Sequence, residues 1–277
     1  MPSHVDPSRP EQRAAEASVL VPRGAVTGWA ALRLHGGGFF DGLEGDGVTP
    51  LPVMLVAPGE SRRRRPGVQI VTDPLTDDEV VLVQGVRCTT VLRAVFDQTR
   101  RGQSLTEAVV TVDMAAAAEL TSITNLAGYV DQNFSRRGMP IARRALALAS
   151  SESRSPQESR TRTIWIRAGL PQPLVNQPVY SHTGALLGYP DLLDPESGLV
   201  CEYDGADHRS ARRHSDDVHR EAGFRAHGLE ATRLTGADIR EPGRAMARLA
   251  EAHQRALRNH RRQQSWTLTR LDCRSAG

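Results

Sequence analysis

Four residues in the C-terminal half of the chain have the types and spacing expected of a metal-dependent site. They are Asp191, Glu202 and Asp204, with His208 just beyond them. Carboxylates a few ångströms apart resist joint ionisation unless a cation lies among them, and their hard oxygen atoms suit Mg²⁺ or Mn²⁺. The sequence therefore predicts a divalent-cation site, and the chemistry that such a site favours is phosphodiester hydrolysis.

A β-hairpin is the element that must position these acids. Residues 199–203 are apolar and rich in β-forming side chains, which predicts a strand. The segment Asp194-Pro-Glu-Ser-Gly198 before it is a turn signal. We expect residues 185–189 to form the partner strand.

The register of this hairpin decides whether the acids converge. Glu202 and Asp204 share one face because side chains alternate along a strand. If residues 195–198 form the loop, Asp191 lies opposite Glu202 on that same face. A slip of one residue would place Asp191 on the other face and remove the site.

These motifs together resemble the PD-(D/E)XK nuclease superfamily, and more closely its branch related to the very-short-patch repair endonucleases. Pro190-Asp191 matches the family's PD, and Glu202-Tyr-Asp204 stands where (D/E)-x-K is expected. Glu158 matches the acidic residue often found on the first helix, and the resemblance covers roughly residues 151–238. It implies a metal-dependent endodeoxyribonuclease with a restriction-endonuclease-like α-β-β-β-α-β core. It also implies Mg²⁺, or Mn²⁺ in its place, held by Asp191, Glu202 and Asp204.

The family's lysine is absent, and Asp204 stands in its place. All 35 basic residues of the chain are arginine, which cannot act as a general base at neutral pH. His208 is the candidate that orients or deprotonates the attacking water, because the unperturbed pKa of histidine lies near neutrality. The related repair endonucleases also lack the lysine and use histidine. The alternative is a non-catalytic DNA-binding or toxin–antitoxin-type regulatory protein built on the nuclease-derived fold.

Each candidate also has a purely structural interpretation. Asp191 can cap a turn, and Asp204 precedes a glycine, which is a common turn dipeptide. Glu202 can belong to a solvated edge strand, and His208 to an exposed loop. Glu158 can pair with an arginine four residues later on the helix surface.

The partner implied by the resemblance is DNA. The net charge of the chain is only +3, but its arginines are clustered, as expected of a protein that binds a phosphate backbone. The other interpretation is that a lysine-free chain uses arginine on every solvated face. The predicted DNA contacts are those that the resemblance places on helices near the acids: Arg160, Arg162, Arg212, Arg213 and Arg220.

The chain is long enough for two domains, and a polar stretch after residue 149 marks the division. Residues 1–150 are expected to form an α+β domain, and residues 151–262 the endonuclease-like domain, so the fold class is α/β. The latter ends in a helix over residues 241–262, and residues 263–277 are expected to form a flexible tail.

The first domain should contain strands over 52–56, 68–71 and 80–83. Helices are expected over 25–35, from Cys88 with a cap at Thr89, and from about residue 109 onward. The motifs Gly28-Trp-Ala-Ala-Leu32, Gly85-Val-Arg-Cys-Thr-Thr90 and Ala94-Val-Phe-Asp97 weakly resemble the C-terminal domain of AbiEi-type antitoxins. This resemblance implies a toxin or mobile-element partner for the first domain.

Cysteine usage and hydropathy exclude other classes. Cys88, Cys201 and Cys273 lack the spacing of a zinc site or a disulfide framework. There is no signal peptide and no apolar run long enough to span a bilayer. We therefore expect a cytoplasmic protein without a membrane partner.

Overall fold

The computed structural model describes residues 6–59, 66–102, 104–205, 220–260 and 265–270. The chain divides into two units, Met1–Pro156 and Gln157–Gly277, whereas the sequence placed the boundary after residue 150. Each unit combines helices with a mixed sheet, which is the α/β class expected. No helix within these ranges is both long and apolar enough to cross a membrane.

Unit 1 is built on a five-stranded sheet with the strand order β3-β2-β1-β5-β4. The strands are β1 (Ala25–Thr27), β2 (Val53–Val56), β3 (Val68–Val71), β4 (Val80–Val83) and β5 (Val86–Thr89). The helices are α1 (Pro10–Ser18), α2 (Gly28–Leu34), α3 (Val91–Arg101), α4 (Leu105–Ala117), α5 (Ile123–Gln132) and α6 (Met139–Leu148).

The predicted strands of unit 1 are present as β2, β3 and β4, but two predicted helices begin later than expected. The segment from Ala25 starts as β1, and Gly28, at a φ of 62°, turns the chain into α2. The positive φ favours glycine, and a Cβ here would lie 2.5 Å from Oε1 of Gln98 and displace that side chain. Cys88 belongs to β5, and the residue that precedes α3 is Thr90 in place of Thr89.

A buried network of charged side chains holds α3 to the rest of unit 1. The carboxylate of Asp97 accepts from Nε of Arg93 at 2.8 Å, from Nε of Arg100 at 3.0 Å and from the hydroxyl of Thr27 at 3.0 Å. Arg93 also donates to Glu79 at 2.5 Å. Thr27, Arg93 and Asp97 are fully buried, and Glu79 and Arg100 are less than one-tenth exposed. Removal of Asp97 would leave Arg93 and Arg100 buried with only part of their negative partners.

Asp97→Ala should therefore destabilise unit 1 by about 3–5 kcal/mol, because Arg93 and Arg100 would stay buried without their shared carboxylate. The control is Asp131→Ala, which removes an exposed carboxylate 4.0 Å from Arg143 and should cost less than about 1 kcal/mol. Chemical denaturation of the full chain measures both values. Equal losses in the two variants would contradict this account of the network.

Unit 2 contains a four-stranded mixed sheet with the order β11-β10-β9-β6 and a three-stranded sheet with the order β12-β7-β8. The strands are β6 (Leu174–Val175), β7 (Val179–Ser181), β8 (Leu186–Gly188), β9 (Leu192–Asp194), β10 (Leu199–Asp204), β11 (Glu230–Thr235) and β12 (Trp266–Thr267). The helices are α7 (Pro156–Arg167), α8 (described over 220–226), α9 (Gly236–Arg240) and α10 (Pro242–His260). In the larger sheet β9 is antiparallel to β6 and β10, and β10 is parallel to β11.

Two predictions for unit 2 are wrong. The partner of β10 is β9, whereas residues 186–188 form β8 and pair with β7. Strand β8 ends at Gly188. Pro190 has no N–H to donate and separates β8 from β9, in which Leu192 and Leu193 are fully buried. The expected flexible tail is also wrong in part, because Trp266 and Thr267 pair with β7 and the Trp266 side chain is buried.

The two faces of the sheet pack against different helices. Leu192, Leu199 and Cys201 pack with the buried side chains of α7 and α10, among them Trp165 and Leu249. Leu193 and Val200, which alternate with them, pack with Phe224 of α8. Glu202 follows Val200 by two residues and therefore lies on the face that α8 covers.

Candidate active site

The register of β9 and β10 brings Asp191 to Glu202. The strand partners are Leu199 with Asp194, Val200 with Leu193, and Cys201 with Leu192. Continued by one residue, this register sets Asp191 beside Glu202. The backbone N–H of Tyr203 donates to Oδ2 of Asp191 at 2.7 Å, which holds the aspartate at the end of the hairpin.

The turn at the other end of the hairpin fixes this register. Residues 195–198 connect the strands, and the N–H of Gly198 donates to the Asp194 carbonyl at 2.9 Å. The Asp194 carboxylate accepts from the Ser197 hydroxyl at 2.5 Å and lies 3.2 Å from Nε2 of His253 on α10. Asp194 therefore stabilises the turn, while Asp191 lies at the opposite end of the strand.

Asp191 occupies an environment that resists its ionisation. Burial raises the pKa of Asp191 to about 7, and the negative charges of Glu158 and Glu202 also raise it. The hydrogen bond from Tyr203 and the charge of Arg220 lower this pKa, but by less. Glu202 is set beside Asp191 by the strand register, and Glu158 is joined to Asp191 through Asn176.

Glu158 reaches the site from the first turn of α7. Its Oε2 accepts from the side-chain amide of Asn176 at 2.9 Å, and the Asn176 backbone N–H donates to the Asp191 carbonyl at 3.2 Å. The turn that links α7 to β6 is fixed by Trp165, whose indole N–H donates to the Pro171 carbonyl at 2.7 Å. This turn brings the start of α7 and the end of β6 to the same side of the site.

Glu202 is paired with two arginines. Its Oε1 lies 3.0 Å from Nε of Arg220 on α8, and its Oε2 lies 3.6 Å from Nη2 of Arg233 on β11. Arg233 is the parallel-strand partner of Glu202, so its position follows from the sheet register. Arg220, which we predicted as a DNA contact, lies beside the acids with its side chain 39% exposed.

Asp204 is not among the residues that these contacts join. It is half-buried at the end of β10, and the ranges described show no hydrogen bond or ion pair of its carboxylate. His208, Arg212 and Arg213 lie outside the described residues. Within the part of the chain that the structure describes, no three His, Cys, Asp or Glu side chains are grouped so as to hold a metal ion. This finding covers Glu158, Asp191, Glu202 and Asp204 alike.

Two of the predicted DNA contacts need correction. Arg162 is fully buried and Arg160 is 8% exposed, both within α7. A contact to a phosphate backbone requires a guanidinium at the surface, so this burial argues against Arg162 above all. The resemblance placed these residues on a helix, but it did not indicate whether they lie on the exposed or the buried side of that helix.

Sequence reasoning missed Asn176 and Arg233. Asn176 directly follows β6 and has a φ of 51°, a conformation that asparagine adopts more often than most residues. Its residue type was the only signal in the sequence, and it does not point to Glu158. The contact of Arg233 with Glu202 could not be predicted without knowing that β10 pairs with β11, because this pairing joins residues that are distant in sequence.

The raised pKa of Asp191 predicts a pH-dependent effect of Asp191→Asn on stability when EDTA is present. A carboxyl whose folded pKa lies above its unfolded value of 3.8 stabilises the fold at low pH, and this contribution is lost as the pH rises through 7. Asparagine keeps an acceptor for Tyr203 and carries no charge. We expect the melting temperature of the variant to be several degrees above that of the wild type at pH 8 and close to it at pH 4. Thermal unfolding at the two pH values measures this difference.

Glu196→Gln is the matched control, because Glu196 is an exposed carboxylate in the turn of the same hairpin. Its melting temperature should follow that of the wild type at both pH values. A difference between Asp191→Asn and the wild type that stays constant from pH 4 to pH 8 would contradict the buried, crowded environment of Asp191.

Comparison with known proteins gives relatives over part of the chain. No protein-family model matches it, and no solved structure is significantly similar. Two proteins of Mycobacterium tuberculosis match, the uncharacterized protein MT2308 of strain CDC 1551 and the uncharacterized protein Rv2248 of strain H37Rv. Each is 30% identical over 151 residues, which are 54% of this chain and 55% of the relative. The chain thus spans about half the length of the curated relatives that it matches.

Proposed function

We propose that unit 2 is a metal-dependent endodeoxyribonuclease of the PD-(D/E)XK type, which hydrolyses phosphodiester bonds in DNA. The observation that carries the proposal is that contacts bring Glu158, Asp191 and Glu202 together from three parts of unit 2. Asn176 hydrogen-bonds to both Glu158 and Asp191, and the strand register sets Asp191 beside Glu202. The raised pKa of Asp191 agrees with this, because groups with perturbed pKa values cluster at functional sites.

The order of the elements supports this proposal. With β7 and β8 left aside, unit 2 runs as helix α7, strands β6, β9 and β10, helix α8 and strand β11. This α-β-β-β-α-β order is the one that the resemblance implies for residues 151–262. In this order Glu158 lies on the first helix, Asp191 precedes the second strand and Glu202 lies near the end of the third, which supports the proposal.

The side chains present fit a divalent cation. Mg²⁺ is commonly bound through one or two carboxylates, with waters and substrate phosphates as its other ligands, so the site does not need a preformed cage. Asp191 and Glu202 would hold the cation. Burial, with the charges of Glu158 and Glu202, raises the pKa of Asp191 to about 7, and a bound cation would favour its ionised form. When bound, a cation of this kind would neutralise charge on the oxygens of the scissile phosphate.

The chain's own residues have distinct roles in this proposal. Asp191 and Glu202 supply the negative charge of the site, and Glu158 completes the acidic rim. Arg220 forms an ion pair with Glu202, and its side chain is 39% exposed, so in this proposal its guanidinium also contacts a backbone phosphate of the substrate. His208 is proposed to orient the attacking water or to accept its proton, because Asp204 stands in place of the lysine.

The second candidate is a non-catalytic DNA-binding or regulatory protein on the same fold. It is favoured by the pairing of Glu202 with both Arg220 and Arg233, since guanidinium groups can balance the acids in place of a cation. Binding of a toxin or mobile-element partner by unit 1 stays a prediction. Cleavage of DNA by the purified chain distinguishes the two candidates.

Asp191→Ala and Glu202→Gln should each abolish cleavage while DNA affinity stays equal or rises, because loss of negative charge eases the approach of phosphate. The loss of rate should exceed the roughly 10- to 100-fold typical of residues that only support metal ligands. Nicking of plasmid DNA with Mg²⁺, Mn²⁺ or EDTA measures the rate, and a filter-binding titration with EDTA measures the affinity.

Glu196→Gln serves as the control for loss of one negative charge, and it should cleave at the wild-type rate. The proposal fails if the wild type cleaves no single-stranded, duplex, mismatched or branched DNA with either metal. It also fails if Asp191→Ala retains the wild-type rate, because the activity would then come from another site.

A further inference from the structure

Asn176 is a buried residue with an uncommon backbone conformation. It directly follows β6, its φ is 51°, and it is 8% exposed. A residue other than glycine in the left-handed region is uncommon, and burial of an amide is costly unless its hydrogen bonds are made. Such positions deserve a functional explanation when they lie within a site.

Asn176 contacts two of the three acids, and it does so with two different groups. Its side-chain amide donates to Oε2 of Glu158 at 2.9 Å, and its backbone N–H donates to the carbonyl of Asp191 at 3.2 Å. One contact reaches α7 and the other reaches the segment that leads into β9. The left-handed backbone at Asn176 is what directs its N–H and its side chain to these two elements.

We propose that Asn176 is a positioning residue that holds the carboxylate of Glu158 beside Asp191. Without a cation the two acids repel each other, and an amide donor on Glu158 offsets that repulsion while it fixes the orientation of the carboxylate. The backbone hydrogen bond to Asp191 sets the separation of the two elements. The consequence for catalysis rests on the proposed nuclease function, whereas the positioning of Glu158 does not.

Asn176→Gly is the variant that isolates the side-chain contact. Glycine adopts the left-handed conformation without strain and keeps the backbone N–H for Asp191, so the side-chain contacts are lost and the backbone contact is kept. The control is Glu119→Gly, since Glu119 is exposed and has a φ of 55°. This control reports the effect of glycine at an exposed left-handed position in unit 1.

The first measurement is a double-mutant cycle on thermal stability in EDTA, made with Asn176→Gly and Glu158→Ala. We expect Asn176→Gly to lower the melting temperature in the wild-type background and to have a smaller effect when Glu158 is already absent. Equal decreases in the two backgrounds would overturn the proposal. Because this cycle needs no metal and no cleavage, it gives an answer even if the chain is not a nuclease.

The second measurement is Mn²⁺ affinity by calorimetry, with kcat and KM for DNA cleavage. Asn176→Gly should weaken Mn²⁺ binding by about 10- to 100-fold and lower kcat while KM is unchanged, and Glu119→Gly should change neither. If the wild type binds Mn²⁺ and Asn176→Gly binds it equally well, the proposal is overturned. A coupled cycle in a chain that neither binds Mn²⁺ nor cleaves DNA would uphold the positioning and reject the nuclease.

Discussion

The pairing register of β9 and β10 is the constraint on which the candidate site depends. Leu192 and Leu193 are both fully buried and face opposite sides of the sheet, so a slip of one residue would exchange the two apolar faces. The same slip would separate Asp191 from Glu202. Packing of the core and placement of the acids are therefore determined together, and the turn held by Asp194 and Ser197 helps to fix both.

The register creates an electrostatic cost that the surrounding residues offset in part. Asp191 is half-buried beside Glu158 and Glu202, and burial, together with these two charges, raises its pKa to about 7. Hydrogen bonds reach Asp191 from the Tyr203 N–H and Glu158 from Asn176, and Arg220 forms an ion pair with Glu202. The pKa of Asp191 stays raised despite these contacts, and groups with pKa values perturbed in this way cluster at functional sites.

The sequence predicted this site better than it predicted the elements around it. The loop over residues 195–198 and strand alternation were sufficient to bring Asp191 to Glu202, because both are local features. The partner strand was assigned wrongly, since residues 185–189 and 192–194 are both apolar and periodicity alone does not rank them. The burial of Arg162 and the contact of Arg233 with Glu202 depend on packing and on pairing with β11, and neither is encoded locally.

The measurement that tests the central claim most directly is anomalous X-ray scattering from crystals of the full chain soaked in Mn²⁺. The account predicts an anomalous peak in contact with the carboxylates of Asp191 and Glu202, at about 2.0–2.2 Å from their oxygens as is usual for small divalent cations. It also predicts that the peak disappears in crystals of Asp191→Asn. A peak elsewhere in the molecule, with Glu202 still paired to Arg220 and Arg233, would contradict it.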